Sequence, residues 1–350
     1  MISKYSINNY KSIDSQDIEL ASLNLFSGHN SAGKTSAIHA LLTASDNLRA
    51  DEQEHLVVSK HLPPMTFNEV RNYIKNAKAY NFAIESENKV VTLSYTPADD
   101  AMIKTSVKQK GKPSDELLEQ LSRNLFYLPA MRIAKLDETT INTNVENNEI
   151  GLNAEYVVDY FQNHRSDILD FELLYTDTKT LESQVNYWLN KLTSYTVNVS
   201  FDGFKYAVRF VGKGGKEILP CHVGTGVSYI VQVIMVCLAA KKNCLLVIEN
   251  PEIHLHPSAQ ATMIDFLAMV SNTGRQIIIE SHSDHIFNGI RRLLHNGTIS
   301  INNVRVINFE QNDLGITKGT TIGLSQNGGV VKYTPGLFDQ FDEDLDSILN

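Results

Sequence analysis

Cysteine is scarce. Cys221, Cys237 and Cys244 are the only three, and they form no C-x-x-C. That excludes a disulfide framework and fits a reducing compartment in which each thiol is a small buried hydrophobe. Long apolar runs are missing as well. The longest, Tyr229 to Ala240, contains Gln232 and stops well short of the roughly 20 residues that span a bilayer, so no membrane role is expected. The start, Met1-Ile2-Ser3-Lys4-Tyr5, has no charged segment ahead of an apolar stretch; no secretory signal is read there and a cytoplasmic location is expected. Positive charge is in deficit, with a formal net charge of -9. This favours solubility and gives no global attraction to nucleic acid, which leaves only a local basic groove for such a partner. No internal repeat, low-complexity tract or sustained heptad is present, so a long coiled-coil arm is not expected.

What remains is enough for an ordinary globular protein: 350 residues, 42% hydrophobic, with room for one large domain or two modest ones. Ile2 to Asn9 and Asn24 to Ser27 predict strands, and Thr35 to Leu48 predicts a helix with Ile38, Leu41, Leu42 and Ala44 near one face. Between them lies a Gly-rich turn. Phe67 to Asn76 reads as a polar helix, while Tyr80 to Glu85, Lys89 to Tyr95 and Met102 to Lys108 are β-prone. Residues 150 to 193 carry apolar groups at helical spacing, and Asp202-Gly203 joins two β-prone runs, Tyr195 to Phe201 and Lys205 to Phe210, as a hairpin. The last third alternates helix Val227 to Ala240, strand Cys244 to Glu249, helix Ser258 to Val270, strand Gln276 to Glu280 and helix His285 to Leu294. That rhythm predicts an α/β fold, a parallel sheet covered by helices.

Four local patterns carry chemistry. Gly28-His29-Asn30-Ser31-Ala32-Gly33-Lys34-Thr35 satisfies G-x-x-x-x-G-K-[ST] in full, between a predicted strand and a predicted helix. Such a loop turns its N-H groups and the helix start, here through Ser36, toward phosphates. Lys34 would reach the β and γ oxygens, and the Thr35 hydroxyl would hold Mg²⁺. A chance match is on the order of one in a hundred for a chain this long. The apolar strand Leu245 to Glu249 delivers acids at its C-terminal end, with Glu249 as the metal-side carboxylate and Asn250 and Glu252 beside it. Ile277 to Glu280 is a second apolar strand leading to Ser281-His282-Ser283, where His282 could polarise a γ-phosphate. Gly224-Thr225-Gly226-Val227-Ser228 opens a helix with N-H groups available to an anion. Each has a plainer alternative: an incidental lysine in a glycine turn, a polar strand end, a histidine closing a strand, a helix entry without ligand.

Taken in order, these patterns resemble the SMC/RecF/RecN/OLD branch of ABC-type ATPases. Glu249-Asn250-Pro251-Glu252-Ile253-His254-Leu255-His256-Pro257 is similar to that family's D/E-x-P-E-x-H-L-H-P block, and Glu280-Ser281-His282-Ser283-Asp284-His285 to its E-T-H-S-D-H block. Asn9-Tyr10-Lys11-Ser12-Ile13 resembles its N-F-K-S-F strand, and Tyr127-Leu128-Pro129-Ala130-Met131-Arg132 its Y-L-P-A-x-R segment. The resemblance implies a P-loop ATPase head from residues 1–50 and 205–350, interrupted by a mixed β and helical insertion over 51–204. It implies ATP and Mg²⁺ as cofactors, Gly28 to Ser36 on the phosphates, Glu249 as the Walker B acid, His282 as the switch, and Gly224 to Ser228 as a signature loop. Two such heads, or a higher oligomer, would sandwich nucleotide. Compact heads of this wording look like the ATPase subunits of bacterial anti-phage systems of the PtuA, AriA and OLD type. That implies an ATP-gated switch controlling an effector protein encoded nearby, a nuclease or a toxin.

Three features depart from the family pattern. Asn250 stands where the catalytic glutamate is usual; asparagine orients water but does not accept its proton, which implies slow hydrolysis unless Glu252 serves. The signature lacks Ser-Gly-Gly-Gln, and no glutamine loop is visible. The alternative reading is a RecF-like DNA-binding repair or loading ATPase. Lys104, Lys108, Lys110 and Lys112 form the clearest basic cluster, which reads first as a solvent-facing loop and second as a phosphate-contacting hairpin. A metal site at His254, His256, His282 and His285 is a third reading, on ligand spacing alone. The acidic run Asp342, Glu343, Asp344 and Asp346 reads as a solvated helix face.

Overall fold

In the computed structural model, residues 1–133, 136, 139, 141–143, 150–331 and 347–348 are described; the acidic run at 342–346 lies outside them. Strand alternation sets the first elements. β1 (Lys4–Tyr10) and β2 (Ile13–Glu19) are amphipathic, β3 (Leu23–Gly28) is buried up to its last residue, and α1 (Lys34–Asn47) follows. Then come β4 (His55–Leu56), α2 (Phe67–Val70), β5 (Tyr80–Ser86), β6 (Lys89–Pro97), β7 (Thr105–Lys110), α3 (Asp115–Ser122) and β8 (Leu125–Leu128). Helices α4 (Val157–His164) and α5 (Leu181–Thr193) precede β9 (Thr196–Phe201), β10 (Tyr206–Val211) and β11 (Glu217–Ile218). The chain continues through α6 (Thr225–Ala239), β12 (Leu245–Glu249), α7 (Pro257–Ser271), β13 (Gln276–Glu280), α8 (Asp284–His295), β14 (Val304–Gln311) and β15 (Thr317–Thr321).

The chain divides into two compact units: Met1–Leu118 with Glu280–Asn350, and Glu119–Ile279. In the first, the strand order is β4-β7-β6-β5-β1-β2-β15-β14-β3. The hairpins β5 to β7 pair outward from β1, antiparallel throughout. At the other side β14 runs parallel to β3, with Val304 opposite Leu23 and Phe309 opposite Gly28, and β15 returns antiparallel to β14. Helix α1 packs on β1, β3 and β5. Its neighbours form an aromatic core in which Tyr80 stacks on Tyr95 at 4.6 Å between centroids, with Tyr10 and Phe82 set at an angle. Such rings supply large buried area and offset contacts, a dense anchor for one helix face.

In the second unit β12 pairs parallel with β8, Leu245 opposite Leu125, and β13 is the next strand in order. Helix α6 is buried on nearly every side, which its sequence requires, because Val, Ile, Leu and Met occupy all its faces. It packs against α4, α5 and α7. Trp188 of α5 is buried against Phe266 of α7, with ring centroids 5.0 Å apart. A separate three-stranded sheet, β11-β10-β9, carries the expected Asp202-Gly203 hairpin.

Some expectations shift. The helix expected over Phe67 to Asn76 is one turn, α2, closed at its start by the Thr66 and Glu69 capping box. Asn72 ends it by accepting from the Lys75 N–H through its side chain, and Asn76 adopts φ 47°. The strand expected from Met102 starts at Thr105, because Asp99 accepts from the Ile103 and Lys104 N–H groups and holds a turn there. Cys237 and Cys244 are buried, but Cys221 is exposed in the short turn Pro220–His222, so only two thiols are core residues. No helix among the described residues is long and apolar enough to cross a membrane.

The turn from β1 to β2 touches α1 through a polar pair. Lys11 Nζ donates to His39 Nδ1 at 3.0 Å, and since an ammonium cannot accept, the imidazole is neutral with its proton on Nε2. Burial, then the adjacent Lys11 charge, pushes the His39 imidazole down to about 3. The unfolded chain therefore takes up a proton near pH 6.5 that the folded one refuses. Stability from this group is full above that pH and is lost as pH falls toward the folded value, by up to about 1.4 kcal/mol per pH unit. His39→Gln keeps an acceptor without a titrating ring. Its urea midpoint is expected to fall less than that of the wild type between pH 7 and pH 4.5; equal losses would show that His39 is not held neutral.

Candidate functional site

The glycines of the phosphate-type loop are dictated by packing. Gly28 has φ 130°, and a Cβ there would press into the Phe309 carbonyl oxygen of β14. Gly33 has φ 103°, and a Cβ there would meet the Thr317 side chain of β15. Neither position admits another residue without strain. Thr317 also braces the turn actively: its hydroxyl donates to the Ala32 carbonyl at 2.9 Å and lies 2.8 Å from Ser12 Oγ. Within the turn the Ala32 N–H donates to the His29 carbonyl at 3.2 Å. Gly33 is the N-cap of α1, offers no side-chain acceptor, and no acidic residue follows in the first turn. A helix start of that kind is the positive end of a dipole with no anion of its own.

Lys34 is 3% exposed. Its Nζ donates to the Gly28 and His29 carbonyls at 3.0 and 2.8 Å and lies 3.9 Å from Glu280 Oε1. The Thr35 hydroxyl donates to both Glu280 oxygens, at 3.2 and 3.1 Å. Glu280 is brought there because the next residue, Ser281, donates its N–H to the Phe26 carbonyl at 3.1 Å. Asn30, Ser31, Gly33, Lys34, Thr35 and Ser36 line a pocket of about 350 Å³ together with Glu280 and His282. Burial, then the Lys34 charge, holds the His282 imidazole below its usual range, so it stands neutral at neutral pH. Ser283 caps α8, accepting from the His285 and Ile286 N–H groups. The volume, the lysine, the uncapped helix start and the hydroxyl–carboxylate pair fit a triphosphate with a hard divalent cation. Gly28, His29 and Ala32 shape the turn rather than line the pocket.

The remaining sequence-selected residues belong to the second unit. Glu249 ends β12, 5% exposed; its Oε2 accepts from the Ala130 N–H at 3.0 Å, while its Oε1 has no hydrogen-bond partner among the described residues. Arg132 is 2% exposed and donates to the carbonyls of Pro129 at 3.0 Å, Glu249 at 2.9 Å and Asn250 at 3.2 Å. Burial lowers its guanidinium to about 10, against the pull of Tyr229, Glu252 and Glu249. Asn250 takes φ 43°, a left-handed geometry that asparagine tolerates better than most residues, and its side-chain oxygen is buried with no hydrogen-bond partner among the described residues. Glu252 is 8% exposed.

At the start of α6, Gly224 and Thr225 are exposed whereas Gly226 and Ser228 are buried. A Cβ on Gly226 would lie 2.6 Å from the His254 carbonyl, so this glycine permits close packing of the loop after β12. Tyr229 of α6 sits between the Arg132 guanidinium, 5.0 Å from its ring centroid, and the His254 ring at 5.7 Å. His256 caps α7. Among the described residues no three His, Cys, Asp or Glu side chains gather as metal ligands, which removes the histidine-cluster reading.

Sequence reasoning missed Glu280, Ala130 and Arg132 as site residues. Each stood inside a quoted block, and what was lacking was the fold that turns it inward. Thr317 had no sequence signal.

The sequence matches the AAA ATPase domain family over residues 1–199 and 177–287. No curated protein sequence matches. Among solved structures, an Smc head bound to the C-winged helix domain of ScpA superposes with a TM-score of 0.63 at 15% identity, covering 93% of this chain and 98% of that one. An Smc head domain with an extended coiled coil from Pyrococcus furiosus, bound to the C-terminal domain of ScpA, gives 0.60 at 14% identity, covering 100% and 99%. The fold is therefore that of an Smc-like ATPase head. Among the described residues the longest helices have 15 residues, and no coiled-coil arm leaves it.

Arg132 generates a stability prediction for the second unit. Arg132→Met removes donors from one buried and two part-buried carbonyls and is expected to cost about 2–4 kcal/mol in urea unfolding. Arg132→Lys is expected to recover only part of it, since an ammonium cannot span the fork. A methionine variant as stable as the wild type would contradict the anchoring role.

Proposed function

The chain belongs to the AAA ATPase domain family, and from that premise we propose that it is a slow ATP-hydrolysing switch whose heads dimerise on Mg²⁺-nucleotide and control a separate effector protein. The observation that carries this reading is the convergence of Lys34, Thr35 and Glu280 on one pocket at the start of α1. Lys34 would leave the loop carbonyls for the β and γ oxygens, the N–H groups of Gly33 to Ser36 would cradle phosphate, and Thr35 would face the cation. Bound Mg²⁺ would supply charge neutralisation. Neutral His282 would present a hydrogen bond toward the terminal phosphate. In this reading residues 1–50 and 205–350 form the head and 51–204 the insertion. Glu249 acts on the metal side, and Gly224 and Thr225, exposed at the start of α6, form the surface offered to a second head, with Gly226 and Ser228 buried behind them.

Slow turnover follows from Asn250, which has no basic oxygen to take a proton from water. Partner control is supported by the likeness to heads solved in complex with another protein. The effector is a nuclease or toxin of an anti-phage system in this reading. The DNA-binding alternative draws on Lys108 and Lys110, exposed on one face of β7, with Lys104 and Lys112 beside it. DNA-stimulated turnover with a steep salt dependence would favour that alternative.

Lys34→Ala is expected to abolish ATP binding in equilibrium dialysis; unchanged affinity would refute the site. Asn250→Glu is expected to raise phosphate release several-fold while lowering stability by about 1 kcal/mol, because a longer side chain there must adopt the left-handed φ. Fast turnover by the wild type would show that another base already serves.

A further inference from the structure

We propose that Glu280 is a metal-side carboxylate, holding with the Thr35 hydroxyl the divalent cation that accompanies the triphosphate. The inference rests on the nucleotide reading of this pocket and extends it, since the sequence pattern gives the metal to Thr35 and Glu249 alone. Three observations lead to it. Both Glu280 oxygens lie 3.1–3.2 Å from Thr35 Oγ1. Adjacent ligands of an octahedral Mg²⁺ at about 2.1 Å are about 3.0 Å apart, so the two groups already have the spacing of one octahedral edge.

The second observation is charge. Glu280 is 5% exposed, and Lys34 Nζ lies 3.9 Å from its Oε1. A triphosphate would recruit Lys34 to its own oxygens and bring several negative charges to the same pocket. A dication entering between the carboxylate and that polyanion would offset the repulsion between them. The third is rigidity. Ser281 ties the strand end to Phe26 by a backbone hydrogen bond of 3.1 Å, and Thr35 sits in the first turn of α1. Both oxygens are therefore presented from regular elements, the arrangement that a cation demanding near-ideal geometry favours.

The test uses the full chain, Mn²⁺ as the metal probe and a nonhydrolysable β,γ-imido ATP analogue. Electron paramagnetic resonance titration gives the Mn²⁺ affinity of the protein–analogue complex, and equilibrium dialysis in EDTA gives the metal-free affinity for the analogue. In Glu280→Gln, Mn²⁺ affinity is expected to fall at least about tenfold, while metal-free affinity is unchanged or higher because one anion has left the pocket. Unchanged Mn²⁺ affinity would overturn the proposal. So would an equal loss with and without metal, which would make Glu280 a buttress for Thr35 only. Should Glu280→Gln fail to fold, Glu280→Asp draws the carboxylate back by one methylene and is expected to weaken Mn²⁺ several-fold; Mn²⁺ affinity equal to the wild type would again overturn it. Failure of the underlying nucleotide reading looks different: the wild type itself would bind no analogue in either condition.

Discussion

A strand must end, reverse direction and start a helix within five residues while keeping its N–H groups turned inward, and this constraint governs the first unit. Two close approaches enforce it. The Phe309 carbonyl sits where a side chain on Gly28 would be, and the Thr317 side chain sits where one on Gly33 would be. Phe309 and Thr317 come from β14 and β15, some 280 residues along the chain, so the loop takes its shape only once the C-terminal strands have paired beside β3. Long-range pairing of this kind is slow to form. Once formed, it fixes the glycine turn at the start of α1, the kind of rigidity that preorganised recognition of a polyanion uses.

The second unit solves a related problem with a buried cation. The chain leaves β12 through a left-handed Asn250 and a turn crowded by Gly226 against His254. Arg132 gathers the carbonyls of Pro129, Glu249 and Asn250 and rests on Tyr229. Its lowered guanidinium reflects the cost of burial, a cost offset by three charge-assisted hydrogen bonds. The carboxylate of Glu249 is thereby fixed on one side by the Ala130 N–H, with its second oxygen unpartnered among the described residues.

Much of this was legible from residue order. The loop from Gly28 to Thr35, helix α1, the βα rhythm from α6 to α8 and the Asp202-Gly203 hairpin all announce themselves, because apolar periodicity and glycine spacing are local signals. Strands β14 and β15 do not, since they carry mixed residues such as Asn308, Glu310 and Lys318. With them went Thr317. Glu280 was visible only as one letter of a block; its role depends on Ser281 binding Phe26, a contact across more than 250 residues. The Phe67 to Asn76 stretch had helical composition, yet the Asn72 side chain accepts from the Lys75 N–H and Asn76 takes a left-handed φ, which gives the backbone a turn instead.

The central claim is that the pocket formed by Lys34, Thr35 and Glu280 receives a metal-bound triphosphate. Its most direct test is a crystal structure of the full chain grown with Mn²⁺ and a β,γ-imido ATP analogue, with anomalous scattering used to locate the metal. The account predicts phosphate density over the Gly33 to Ser36 N–H groups and an anomalous peak within about 2.5 Å of Thr35 Oγ1 and a Glu280 oxygen. Empty density in that pocket, or a metal peak remote from both side chains, would contradict it.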